Sequence, residues 1–230
     1  MKIVIAMTML MLAGACTSSP TPRPIPTPTT GAISAVLPPS IALPTPQLKG
    51  KFSLEETLAQ RRSVREYAAE ELSLAEIGQL LWAAQGITSP TGQRTAPSAG
   101  ALYPLEVYVV KRDGVFRYDP ANHQLRFHLR GDLRHPLFVV CLEQESVKLA
   151  PVDFVIAAVY ERLAVRYSDR APRYAHIEAG HAAQNVLLQA VALNLGAVPI
   201  GAFDDVQVQR VLSLPADQQP LYVIPVGRRK

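Results

Sequence analysis

The spacing of apolar residues changes from one stretch of the chain to the next, and each change marks an element. Ser53 and Glu56 form a capping box ahead of a short helix that should carry Leu54 and Leu58 to the core. Ser73 and Glu76 form a second box, flanked by Leu72 and Ile77 in the positions of a hydrophobic staple. Leu74, Ile77, Leu80, Leu81 and Ala84 then fall on one helical face, which ends at Gly86 before a polar loop over 86–96. The β-branched run 105–111 predicts a buried strand, and Asp113-Gly114 punctuates it. Two alternating segments, 115–119 and 123–129, read as a hairpin. A helix follows over 133–144. The apolar run 154–160 belongs in the centre of a sheet. The longest helix spans 174–195, with Gly196 as its cap and apolar residues on nearly every side, so it must be buried in the core or against another subunit. Asp204 or Asp205 caps a short helix to about Leu214, and 221–226 closes the chain as a strand. Helices and strands alternate without an internal repeat.

The front of the chain follows a different rule. Residues 1–15 carry one charge, Lys2, then an apolar run over 3–12 and a few small residues. That is too short to span a bilayer and reads as a secretory signal peptide. It ends in LAGAC, which resembles a bacterial lipobox with Cys16 as the lipidated residue; the alternative is a plain signal with a chance cysteine. Residues 16–49 are rich in Pro, Thr, Ser and Ala and read as a tether. Thr17 rather than Asp after Cys16 resembles lipoproteins of the outer membrane, so the expected place is the cell envelope, lipid-anchored at its periplasmic side.

Residues 50–230 suffice for one domain with a substantial core. Cys141 is its only cysteine, which excludes an intrachain disulfide and reads as a small buried hydrophobe. The net charge of +4 comes without a long basic run, so nucleic acid is not an expected partner.

Four places can carry chemistry. RRSVR puts Arg61, Arg62, Ser63 and Arg65 at a helix exit, where guanidinium groups and a hydroxyl can hold a phosphate or form a solvated basic face. The stretch PSAGALYP contains Pro97, Ser98 and a row of small residues that would let backbone amides approach a ligand, or would merely lead into a core strand. GAVPIGAFDD opens a loop after the long helix and leaves the amides near Gly201 and Ala202 free, or simply reverses the chain. HIEAGH has its histidines five apart, so they diverge by about 140° on a helix and do not suit a zinc motif. The Glu178–His181 pair is better read as a structural contact.

Together these motifs resemble the nitroreductase superfamily of flavoproteins, and most closely its SagB/ThcOx branch of azoline dehydrogenases, over roughly residues 51–227. The resemblance implies an α+β fold, with a central, mostly antiparallel sheet surrounded by helices in an interlocked homodimer. It implies FMN as cofactor. Arg61, Arg62, Ser63 and Arg65 would hold its phosphate end, Pro97 and Ser98 would contact ring or ribityl chain from the other subunit, and the amides of Gly201 and Ala202 would face N5. Arg228 is a candidate for a further basic contact to the phosphate. Ala101 and Tyr103 stand where the wider family has Asn and Gln, which removes two polar flavin contacts. In azoline dehydrogenases a Lys-Tyr pair deprotonates substrate; here Tyr167 matches as the catalytic candidate, while Arg166 replaces the lysine and is a poor base. The expected activity is FMN-dependent oxidoreduction of a small molecule or peptide. The alternatives are azoline-type dehydrogenation of a peptide and a flavin-binding lipoprotein without turnover.

Overall fold

The computed structural model describes residues 39–230; the signal peptide and Cys16 lie outside the described residues. Seven strands form one sheet: β1 (Ser40–Ala42), β2 (Leu105–Lys111), β3 (Gly114–Asp119), β4 (Gln124–Arg130), β5 (Val152–Val159), β6 (Leu195–Ala197) and β7 (Gln218–Arg228). Their spatial order is β1-β4-β3-β2-β5-β7-β6, and each neighbouring pair is antiparallel. The helices are α1 (Leu54–Gln60), α2 (Leu74–Gln85), α3 (Arg134–Val140), α4 (Glu145–Leu149), α5 (Tyr160–Tyr167), α6 (Ala171–Ala192) and α7 (Asp205–Val211).

Strand β5 is buried at all eight positions, because helices cover both faces of the sheet around it. Its alternating side chains sort the core in two. Phe154, Ile156 and Ala158 pack with α2, α5 and α6, and Val155 and Ala157 pack with α3, α4 and α7. The first core is the larger, and it is filled along α6 by alanines that let that helix lie close to the sheet. Both capping boxes form: the Ser53 and Ser73 hydroxyls accept from the amides of Glu56 and Glu76, whose carboxylates accept from the two serine amides in return. Each such cap stabilises its helix by about 1 kcal/mol.

Several elements differ from the sequence reading. Residues 40–42, grouped with the tether by composition, pair with β4, and Leu43 is buried over Gly78. Gln47 is tied to Gln79 in both directions, through its amide and its carbonyl. The fold therefore begins ahead of residue 50. The expected helix over 133–144 ends at Val140, because Leu142 and Glu143 take positive φ of 58° and 54°, and the separate α4 that follows was not expected. Helix α6 starts and ends three residues early; Asn194, at φ 57°, turns the chain, and Gly196 lies in β6 rather than capping. That helix is not apolar all round either: Arg173, Ile177, His181 and Gln184 form an exposed stripe. Leu54 and Leu58 do not reach the core; they are 61% and 51% exposed on the outside of α1.

Candidate functional site

The RRSVR segment is carried as an extra strand-like edge on the sheet. Ser63 bridges to Ala197 in parallel, and the Val64 amide donates to the Ala197 carbonyl at 3.0 Å. Gly196 is required there, since a Cβ on it would lie 2.5 Å from Val64 Cγ1. Beyond it, Tyr67 is buried; its hydroxyl donates to the carbonyls of Val64 at 2.6 Å and Pro225 at 3.2 Å. Burial pushes that phenol's pKa well up, so it stays a neutral donor. The chain on both sides of Ser63 is thus fixed by backbone and by a buried tyrosine.

The side chains on this edge are free by comparison. Ser63 and Arg65 are exposed, Arg61 is half-buried, and none of Arg61, Arg62 and Arg65 is ion-paired to a carboxylate among the described residues. Arg62 donates only to the carbonyls of Ala59 and Arg61, at 3.0 and 2.7 Å. Directly after β6 comes the loop 199–203. Ile200 bonds to Val223 in both directions, and Gln144 donates to the Ala202 carbonyl at 2.8 Å. The amides of Gly201 and Ala202, on exposed residues, donate to no group of the described chain. Two motifs more than 130 residues apart thereby share one sheet edge, with unpaired cations beside unpaired amides.

Pro97, Ser98 and the residues after them form a separate constellation. A 3-10 turn, Ala99–Ala101, precedes β2, and Gly100, Ala101 and Tyr103 all take positive φ, at 60°, 54° and 47°. Ala101 and Tyr103 carry real backbone strain there. The turn is held from below by Glu178 of α6, whose Oε1 accepts from the Ala99 amide at 2.8 Å and whose carboxylate also bonds the Ser98 hydroxyl. Ser98 Oγ in turn accepts from the Tyr103 amide at 2.9 Å. Glu178 is only 4% exposed, and burial raises its pKa against the lowering effect of those hydrogen bonds and of His181.

Tyr167 belongs to the same constellation. A Cβ on Gly100 would lie 3.1 Å from the Tyr167 hydroxyl and 3.0 Å from Arg166 Nη1, so both side chains close over the turn. The Tyr167 ring meets Tyr174 edge-on at 4.9 Å and has the Arg166 guanidinium 5.7 Å above it. His176 pairs with Tyr160 at 3.2 Å, while His181 acts on Glu178.

The structure therefore assembles the predicted residues into two groups and not into one. Arg61 to Arg65 lie along β6, which follows the C-terminal end of α6, and Gly201 and Ala202 lie on the loop that leaves β6; Pro97, Ser98 and Tyr167 sit at the turn braced by Glu178 in the first half of α6. Arg228 joins neither group as a free cation, since it is ion-paired to Glu70 at 2.8 Å and Glu76 at 2.9 Å. Glu178 as the anchor of the turn was not legible in the sequence. The signal was a carboxylate set among alanines on a helix face, which needs a buried partner whose position, 79 residues away, only the fold reveals.

Known proteins match this chain over most of its length. The sequence profile described as the nitroreductase family matches residues 58–228. A protein of Methanocaldococcus jannaschii named as a candidate nitroreductase is 44% identical over 185 residues, which cover 78% of this chain and 92% of that one. Among solved structures, a candidate nitroreductase from Ralstonia eutropha superposes with a TM-score of 0.78 at 31% identity, over 89% of this chain and 98% of the other. The NADPH:FMN oxidoreductase of Vibrio harveyi, complexed with NAD+, shares the fold with a TM-score of 0.59 at 22% identity, over 77% of this chain and 69% of that one.

Proposed function

Since the chain belongs to the nitroreductase family, we propose that it is an FMN-dependent oxidoreductase whose cofactor sites are completed between two copies of the chain. The observation that carries this reading is the split of the candidate residues into two groups, one on the β6 edge and one on the Glu178-braced turn. A homodimer would bring the Arg61 edge of one copy to the Ser98 turn of the other, so that one cofactor meets both. The exposed Leu54 and Leu58 on α1 supply apolar surface for such a pairing.

The residues fit FMN. Three guanidinium groups without carboxylate partners suit a phosphate dianion, and Ser63 adds a neutral donor. The free amides of Gly201 and Ala202 suit the polar edge of the ring near N5. FMN, when bound, supplies the two-electron redox chemistry. The chain orients it: the sheet edge fixes the backbone of 61–65, and the Glu178-braced turn presents Ser98 and Gly100 to the partner's cofactor. Tyr167, over Gly100, is placed to donate a hydrogen bond or a proton to a substrate held there. A guanidinium is a poor general base, so Arg166 in place of a lysine favours oxidoreduction of a small molecule over azoline oxidation. The same proposal includes lipid attachment at Cys16, which would hold the domain at the cell envelope.

Denaturing the purified protein and chromatographing the released flavin tests the cofactor; FAD, or no flavin after incubation with FMN, would count against it. Heterodimers of Arg61→Ala and Ser98→Ala chains test the arrangement. Each contains one doubly damaged and one intact site, so about half of the flavin occupancy should return; a monomer that retains FMN overturns the reading. A Cys16→Ser chain that stays in the membrane fraction would remove the anchor from it.

A further inference from the structure

Behind Tyr103 of the 97–103 turn, whose ring stacks on Arg94 and whose carbonyl accepts from Arg162, two recesses adjoin on the side of α2 that faces β3 and β4. The first, of about 220 Å³, is walled by Leu48, Trp82, Ile87, Tyr118, Pro120 and His123. The second is smaller, about 50 Å³, and polar, with Gln85, Arg94, Glu106 and Arg162 around it; Tyr118 and Pro120 line both. One wall between an apolar hollow and a basic one is the geometry that fits a molecule with an apolar body and a charged end.

The charges in the smaller recess do not balance. Glu106 is its one carboxylate, and it is claimed by Arg162, with Arg117 3.8 Å away. Among the described residues Arg94 has no carboxylate within ion-pair distance: its Nη1 donates to Gln85 at 2.9 Å, its guanidinium stacks 4.4 Å above the Tyr103 ring, and its buried Nε has no hydrogen-bond partner. A half-buried guanidinium left with an orphaned N–H is costly unless an anion completes it. Desolvation lowers the pKa of Arg94, against the opposing field of Glu106.

We propose that these recesses form a second ligand site, taking an aromatic carboxylate whose ring lies against Trp82, Ile87 and Tyr118 and whose carboxylate meets Arg94 and Arg162. The site is built within one chain and does not depend on the cofactor reading. A ligand here would brace the strand-entry residue Tyr103, since Arg94 stacks on its ring and the Arg94 amide donates to its hydroxyl at 3.3 Å.

Trp82 is the only tryptophan of the chain, so its emission reports on the apolar recess directly. The flavin-loaded protein is titrated with benzoate, with benzamide as the uncharged control and formate as the anion without a ring. Benzoate should perturb Trp82 emission saturably and at least tenfold more tightly than benzamide, and formate should compete with it. Arg94→Gln should weaken benzoate at least tenfold. Glu106→Gln should tighten it several-fold, a gain that no misfolded variant would give. Benzoate that binds no better than benzamide, or that changes flavin absorbance alone, overturns the proposal. So does an affinity unaltered in both variants.

Discussion

The two halves of the candidate cofactor site are built in opposite ways. At the 61–65 edge the backbone is satisfied and the side chains are not: Val64 pairs with Ala197 while three guanidinium groups lack carboxylates. At the 97–103 turn the side chains are satisfied and the backbone is strained: Ser98 and Glu178 bond one another and the turn, and two non-glycine residues sit at positive φ. The first half keeps its binding energy for a ligand. The second spends its own contacts on shape, holding an unfavourable backbone ready in the absence of any ligand. Removing a side chain from the first half should therefore cost affinity, and removing one from the second should cost stability.

The largest effect is expected at the edge. Arg61→Ala or Arg65→Ala should weaken FMN by about ten- to a hundred-fold, or about 1.5–3 kcal/mol, while thermal unfolding of the flavin-free protein stays at the parent value. Equal losses in stability would erase the contrast between the halves. Gly196→Ala attacks the same edge through its backbone. The new Cβ, 2.5 Å from Val64 Cγ1, must push Val64 off β6, with an expected cost of about 1–3 kcal/mol and a parallel loss of flavin. Unchanged unfolding would mean that the Ser63 bridge is not needed.

Glu178→Ala should show the reverse pattern. Without the carboxylate the Ala99 amide and the Ser98 hydroxyl lose their acceptor, so about 1–3 kcal/mol of stability should disappear by thermal unfolding. A flavin affinity that falls more than the stability would make Glu178 a ligand contact rather than a brace.

A further test lies outside both halves and calibrates them. Asp153 on β5 is fully buried, neither carboxylate oxygen has a partner among the described residues, and burial raises its pKa well above the usual carboxylate range. Its contribution to stability is present below the unfolded value of about 4 and is lost as pH rises through the folded value. Asp153→Asn should therefore melt higher than the parent at pH 7–8, with the gain vanishing near pH 4. A gain independent of pH would show that packing and not charge sets the difference.

Local signals in the sequence survived folding well. Both capping boxes form, the strand at 105–111 has the expected bounds, and Asp204 caps α7, because each rests on residues a few positions apart. What failed was decided at long range. Residues 40–43 look like tether by composition, yet they find a sheet edge in β4 and a gap over Gly78. Leu54 and Leu58 have helical spacing, but α1 turns them outward. Leu142 and Glu143 break a helix without the Gly or Pro that would announce it. In the site, RRSVR and the Gly201 loop were each legible as motifs; that Gly196 welds them together was not.

The covering of both sheet margins has a consequence for association. At one margin the three-residue β1 shields the longer β4, and at the other Ser63 and Val64 lie along β6. Neither margin leaves a long open row of amides and carbonyls for another chain to zip onto. Among the described residues, two copies of this protein therefore offer no long edge for a continuous sheet, and would meet through helices and loops. A truncation that starts at residue 50 would remove β1 and bare β4, turning a protected margin into a template for fibre-like growth.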